Sequence, residues 1–157
     1  MTYERPDWDT YFMNICEAVG ARSTCDRGRV GTVVTRDNHI LSTGYAGAPR
    51  KLPSCDEVGH EFHTVKHADG HETQHCIRTA HAEQNAIVEA ARVGIALDGS
   101  TIYVRMTPCY ICAKMIVNAG VKRVVAKQDY HAADRSKEIL KEAGVKLDIL
   151  EEAVVKY

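Results

Sequence analysis

The stretch HAEQNAIVEAARVGIALDGSTIYVRMTPCYICAKMIVNAGVKRVVAK, residues 81–127, decides the fold. Residues 81–93 read as a helix closed by Gly94, a residue free to take the left-handed turn that ends helices. TIYVR, residues 101–105, is β-branched and aromatic, the composition of a strand. Pro108 is expected to open the next helix, where its missing N–H has no partner to lose. Gly120 stops that helix, and VKRVVAK gives another strand. Helices placed between strands predict right-handed crossovers and parallel pairing.

Working outward, Asp7 is placed to cap a helix through Val19, with Trp8, Tyr11, Phe12, Ile15 and Val19 on one face. Cys16 falls on that face and reads as core. Residues 30–35 and 40–44 form two strands around a polar turn at 36–39. Asp134 is expected to cap a helix to Ala143, Gly144 ends it, and VKLDIL is the last strand. The order is α-β-β-α-β-α-β-α-β, without repeats or low-complexity linkers. It predicts one α/β domain over residues 1–157, three layers deep. A mixed five-stranded sheet lies at its centre, with the last two strands parallel. Residues 46–79 are the exception: polar, broken by Pro49, Pro53, Gly59 and Gly70, and without a sustained period. A loop that long suggests function or a metal staple.

With 20 basic and 21 acidic residues the net charge is −1, so no global field gathers polyanions. That argues against nucleic acid as a partner. MTYERPDWDTYF does not resemble a signal peptide, and no apolar run is long enough to span a membrane. A cytoplasmic location is expected, and there six cysteines point to metal or redox chemistry more than to disulfides.

Three pieces coincide. His81-Ala82-Glu83 opens one helix, Pro108-Cys109-Tyr110-Ile111-Cys112 opens another, and a strand separates them. One imidazole and two thiolates suit Zn²⁺ and leave the fourth position open for water. Such an ion lowers the pKa of water from ~15.7 towards ~7. Glu83 is placed to shuttle the proton to a ring nitrogen and to a leaving amine. H-x-E…P-C-x-x-C is the known signature of zinc-dependent nucleobase deaminases, so the pattern is matched here and not deduced. Alone, a CxxC reads as a redox pair and an HxE as chance; together, on two helix starts, they read as a deaminase.

The chain resembles the cytidine and deoxycytidylate deaminase superfamily, and most closely the deoxycytidylate (dCMP) deaminases. The resemblance runs through RSTCDRGRVGTVV, ILSTGYAGAP, SCDE, HCIRTAHAEQNAI, GSTIYV, TPCYICAKMIVNAGVKRVV and Asp129-Tyr130. It implies the cytidine-deaminase-like fold, hydrolysis of dCMP to dUMP and ammonia for thymidylate supply, and a homohexamer. It further implies dCTP and dTTP as effectors, with Mg²⁺ accompanying the nucleotide effector. Tyr130 matches an aromatic that stacks on the base; a half-exposed loop tyrosine is the alternative. Arg22, Arg27, Arg29, Arg50 and Lys51 are candidates for the 5′-phosphate, with Arg50 preferred, and Arg78 is either structural or in reach of a nucleotide.

One position departs from the pattern. Where the family reads GYNG, with the asparagine on sugar and base, this chain has Ala46. A recognition contact is therefore missing, and a 5-substituted dCMP, dCTP or a purine becomes an alternative substrate.

Some relatives also carry a second, structural zinc, whose ligands match Cys25 and Cys55. His75 and Cys76 complete the expected set, with His60 and His71 as rivals. Such a site would staple the long loop. His63 and His67 are expected on the surface. The rival functions are a tRNA adenosine deaminase, which wants a basic patch, and a non-catalytic zinc module, which has no use for Glu83.

Overall fold

The computed structural model describes residues 2–66 and 68–155. The first helix, α1 (Trp8–Gly20), starts where the Asp7 carboxylate accepts the Thr10 N–H at 2.7 Å. Strands β1 (Gly31–Arg36) and β2 (His39–Tyr45) form an antiparallel hairpin. Its turn places Asp37 and Asn38 at φ 51° and 60°, the left-handed geometry of tight hairpins. Then follow α2 (Cys55–Val58), β3 (Phe62–Lys66), β4 (Glu72–Cys76), α3 (Ala82–Val93), β5 (Thr101–Met106) and α4 (Tyr110–Asn118). The chain continues through β6 (Arg123–Tyr130), α5 (Asp134–Glu142), β7 (Lys146–Ile149) and β8 (Val154–Val155).

The main sheet runs β2-β1-β5-β6-β7, antiparallel across β2-β1-β5 and parallel across β5-β6-β7. This is the mixed five-stranded sheet that the sequence predicts. β8 adds to β6 beyond it, pairing Asp129 with Val154 and Tyr130 with Val155. The crossover through α3 steps over β1, so β5 runs parallel to β2 without touching it.

Alternation along the strands sorts the core into two. Val34, Ile102, Val104, Val124 and Ala126 face α3, α4 and α5, while Val33, Tyr103 and Val125 face α1. Glycines let the layers approach backbone to backbone. A Cβ on Gly31 would lie 2.3 Å from the Cys16 carbonyl oxygen, and one on Gly44 would lie 2.4 Å from the Ala82 oxygen. α1 is thus seated on β1, and the start of α3 on β2. Cys16 is buried there as expected, its thiol donating to the Gly31 carbonyl at 3.0 Å, and burial first of all pushes that thiol up to about 12.

Three local readings are corrected. α4 begins at Tyr110 with Cys109 as its cap, so Pro108 is not the first helical residue; fully buried, it stiffens the approach from β5. α5 is capped by Ala133, and Asp134 lies in the first turn, where its charge still complements the helix dipole. Residues 46–79 hold α2 and the β3–β4 hairpin in place of one irregular loop. The hairpin side chains are exposed or half-buried on both faces, so no apolar alternation marks them in the sequence.

Candidate active site

His81 and Cys109 occupy equivalent places, each the residue that caps a helix, α3 and α4 respectively. The His81 N–H donates to Gln84 Oε1 at 2.8 Å, which fixes the cap. Cys112, buried in the first turn of α4, completes the group. Cys109 Sγ and Cys112 Sγ lie 3.6 and 3.4 Å from His81 Nδ1. A tetrahedral zinc with Zn–S near 2.3 Å and Zn–N near 2.05 Å requires N···S separations of about 3.5 Å. The donor set and its spacing fit zinc.

The three groups act strongly on one another. Bonding from Cys112 and His81 holds the Cys109 thiol down to about 4, against the desolvation that opposes it. Its thiolate in turn raises His81 to about 9. Cys112, bonded to that thiolate and desolvated, is pushed far upward. Two helix N-termini add positive potential at this point. The Glu83 carboxyl stands one residue inside α3, and burial raises its pKa, while His81 pulls the other way. A carboxyl so placed suits proton transfer.

Motif reading passes over several residues that brace the backbone beside His81. The Asn85 amide donates to the Tyr45 carbonyl at 2.8 Å, tying the GYAG turn to α3. Gly47 and Ala80 bond reciprocally at 3.2 and 3.0 Å, which carries the turn alongside His81. Ala46 is buried, its carbonyl accepting the Ser23 hydroxyl at 2.6 Å and the Thr24 N–H at 3.1 Å. Side chain-to-main chain bonds of this kind leave no periodic trace, and Asn85 and Ser23 could be found only as polar residues inside the quoted motifs. Tyr130 is half-buried at the end of β6.

The basic candidates are mostly engaged. Arg50 is exposed and pairs with Glu89 of α3 at 2.8 Å. Arg27 bonds the Gln74 carbonyl and stacks over Phe62, bracing the hairpin. Arg29 bonds the Ser23 carbonyl and pairs with Asp56. Arg78 bonds the Gly59 carbonyl at 3.0 Å and pairs with Glu61, a structural role.

A second group joins Cys25, Cys55, His60 and Cys76, with ligand atoms all within 4.8 Å of one another. Cys55 and Cys76 sulfurs lie 3.4 Å apart, and Cys25 Sγ lies 3.8 Å from His60 Nδ1. His60 Nε2 contacts Asp26 at 2.8 Å, and a carboxylate in that place can fix the orientation of an imidazole. Burial first of all raises Cys55 to about 11. Desolvation also works against Cys76, yet bonds from the Glu61 backbone, His60 and Cys55 hold it down to about 6.

The expected histidine is replaced here. His75 neighbours Cys76 on β4, and consecutive strand residues point to opposite faces. Cys76 turns inward, so His75 turns out, opposite His63 and bonded to Thr73 Oγ1 at 2.9 Å. His71 lies at the hairpin turn against Asp69, away from the cluster. His63 is exposed as expected, and His67 falls outside the described residues.

The profile of the cytidine and deoxycytidylate deaminase zinc-binding region matches residues 6–128. The chain belongs to that family. The deoxycytidylate deaminase of Mycobacterium phage D29 is 37% identical over 126 residues, 77% of this chain and 94% of the phage protein. The deoxycytidylate deaminase of Saccharomyces cerevisiae is 36% identical over 141 residues, which is 90% of this chain. This chain spans only 44% of that yeast relative's length. The crystal structure of dCMP deaminase from the cyanophage S-TIM5, in complex with dCMP and dUMP, matches with a TM-score of 0.74 and 30% identity. That match covers 94% of this chain and 99% of the cyanophage chain.

Proposed function

We propose that the protein hydrolyses dCMP to dUMP and ammonia, as a single deaminase domain over residues 1–157. The observation that carries this reading is the His81, Cys109 and Cys112 triad with the Glu83 carboxyl beside it. Likeness to a cyanophage enzyme seen with dCMP and dUMP supports the choice of substrate. Zinc held by the triad supplies the Lewis acidity that makes water acidic near neutral pH. Glu83 takes one proton from the attacking water and gives it to the ring N3, then carries the second, from the new C4 hydroxyl, to the departing amine. Water adds to C4, the C4–N4 bond breaks, and the nitrogen leaves as ammonia with no net redox change. Tyr130 stacks on the base, and a 5′-phosphate at Arg50 competes with Glu89 for the guanidinium.

A structural zinc is assigned to Cys25, Cys55, His60 and Cys76, with His60 in the place first given to His75. Homohexamer assembly, regulation by dCTP and dTTP with Mg²⁺, and a cytoplasmic location belong to the same reading. Among the described residues no helix is long and apolar enough to cross a membrane.

Ala46 favours a second reading, in which the substrate is a 5-substituted dCMP, dCTP or a purine. Its methyl group offers no hydrogen bond to sugar or base. An ammonia-release screen over dCMP, CMP, dCTP, 5-substituted dCMP, guanine and adenosine decides between the two. Turnover strongest on dCMP and abolished by Glu83→Ala is expected. Release from none of them, or release indifferent to Glu83→Ala, would leave a non-catalytic zinc module.

A further inference from the structure

We infer that Asp129 is a positioning residue whose single carboxylate fixes both the turn that carries Cys109 and the backbone of Tyr130. Thr107 and Pro108, the two residues before Cys109, are both fully buried. The Thr107 hydroxyl donates to Asp129 Oδ1 at 2.8 Å, and its N–H donates to the Gln128 carbonyl at 3.1 Å. The same Oδ1 accepts the Tyr130 N–H at 2.8 Å. Lys137, reaching over from α5, holds the other oxygen at 2.5 Å. The Asp129 N–H is itself tied to the Ala153 carbonyl beside β8.

One carboxylate therefore meets three constraints, the β5–α4 turn, the start of the Tyr130 segment and α5, while the N–H of the same residue ties it to the β8 edge. Carboxylate geometry is what makes this work. Oδ1 takes two donors from the site side while Oδ2 faces an ammonium, so the group cannot rotate without losing a charged bond. Removing it leaves the buried Thr107 hydroxyl without its acceptor, in a turn with little room to adjust. Asparagine is a poor replacement while Lys137 remains. The ammonium draws the amide oxygen to itself and turns the NH₂ group towards the Thr107 and Tyr130 donors.

The assignment of Tyr130 to the base rests on the proposed function; the link to Cys109 does not. The test uses the full zinc-loaded chain with two readouts, steady-state kinetics on dCMP and chelator-driven release of the zinc that Cys109→Ala lacks. Asp129→Ala is expected to raise KM about tenfold and to speed zinc release about tenfold, beyond any change in folded fraction. Thr107→Val should speed zinc release alone. The double variant Asp129→Ala/Thr107→Val should release zinc no faster than Asp129→Ala, because the two groups share one bond. Asp129→Asn should be impaired, and Asp129→Asn/Lys137→Met should recover most of both properties, the amide oxygen being free to face Thr107 and Tyr130. The inference is overturned if Asp129→Ala lowers only thermal stability, with KM and zinc release per folded chain within about twofold of wild type. Additive zinc release in the double variant overturns it too. If the wild-type chain does not turn over dCMP, the functional reading falls by itself, and the zinc-release arm still decides the role of Asp129.

Discussion

The two cysteine–histidine clusters are built from similar donors and differ in number of ligands and in the elements that carry them. His81, Cys109 and Cys112 sit on the first residues of two helices packed on the central sheet. Cys25 comes from the connection between α1 and β1, and Cys55, His60 and Cys76 from the polar excursion after β2, the last at the end of a small hairpin. Three donors on rigid supports leave room for a reacting water; four donors close a tetrahedron and hold the chain. Placement on helix starts suits chemistry, and ligands drawn from separate segments of the chain suit stapling. Glu83 stands buried beside the first cluster, whereas the carboxylate at the second, Asp26, is exposed and bonded to the His60 ring.

The sharpest break between them is Glu83→Gln. It should lower ammonia release about 10²- to 10⁴-fold with zinc content unchanged, measured by turnover beside metal analysis. Loss of zinc in that variant would show the carboxyl to be part of the metal site and blur the distinction. Next comes Cys55→Ala, expected to lose one zinc per chain and to lower Tm by about 10 °C. The triad zinc should stay in place. If the chain keeps both ions, the four-donor assignment is wrong.

A smaller effect separates both clusters from the stability of the core itself. Arg123 bridges Asp9 of α1 and Asp148 of β7, with contacts of 2.7 Å to each carboxylate. The Arg123 bond, with help from Tyr103, lowers Asp9 against its partial desolvation. Desolvation bears most on Asp148, yet Arg123 and Lys146 lower it overall. Folded values depressed below ~3.9 mean stabilisation that is full above about pH 5 and is lost as pH falls through those lowered values. Arg123→Met should therefore cost about 2 kcal/mol near pH 7, and the gap to wild type should narrow from pH 5 to pH 2.5 in thermal melts. A constant gap would remove the electrostatic account.

The smallest effect belongs to His75→Ala. Zinc content should stay unchanged and stability should move by less than about 0.5 kcal/mol, against a full zinc lost in His60→Ala. The reverse result would put His75 back in the cluster.

How much of this could be read from the residues varies with distance along the chain. His81, Glu83, Cys109 and Cys112 belong to two short motifs, each local to a helix start, and could be named at sight. The helix–strand order was legible for the same reason, since period and punctuation are local. The β3–β4 hairpin was not, because neither face is buried enough to leave an alternating pattern. His60 and His75 could not be told apart until the pairing of Phe62 with Cys76 set which way each residue turns. Asp129 and Thr107 were neighbours of the motifs with no visible task, since their bond spans two strands.

The sequence by itself determined the class of fold and the His81, Cys109 and Cys112 donor set, because those follow from residue types at short spacing. Tertiary structure alone decided which histidine joins the second cluster, what braces the Cys109 turn and where α1 and α3 touch the sheet. Those choices depend on strand register and on close backbone approach at Gly31 and Gly44, which only the packed chain defines.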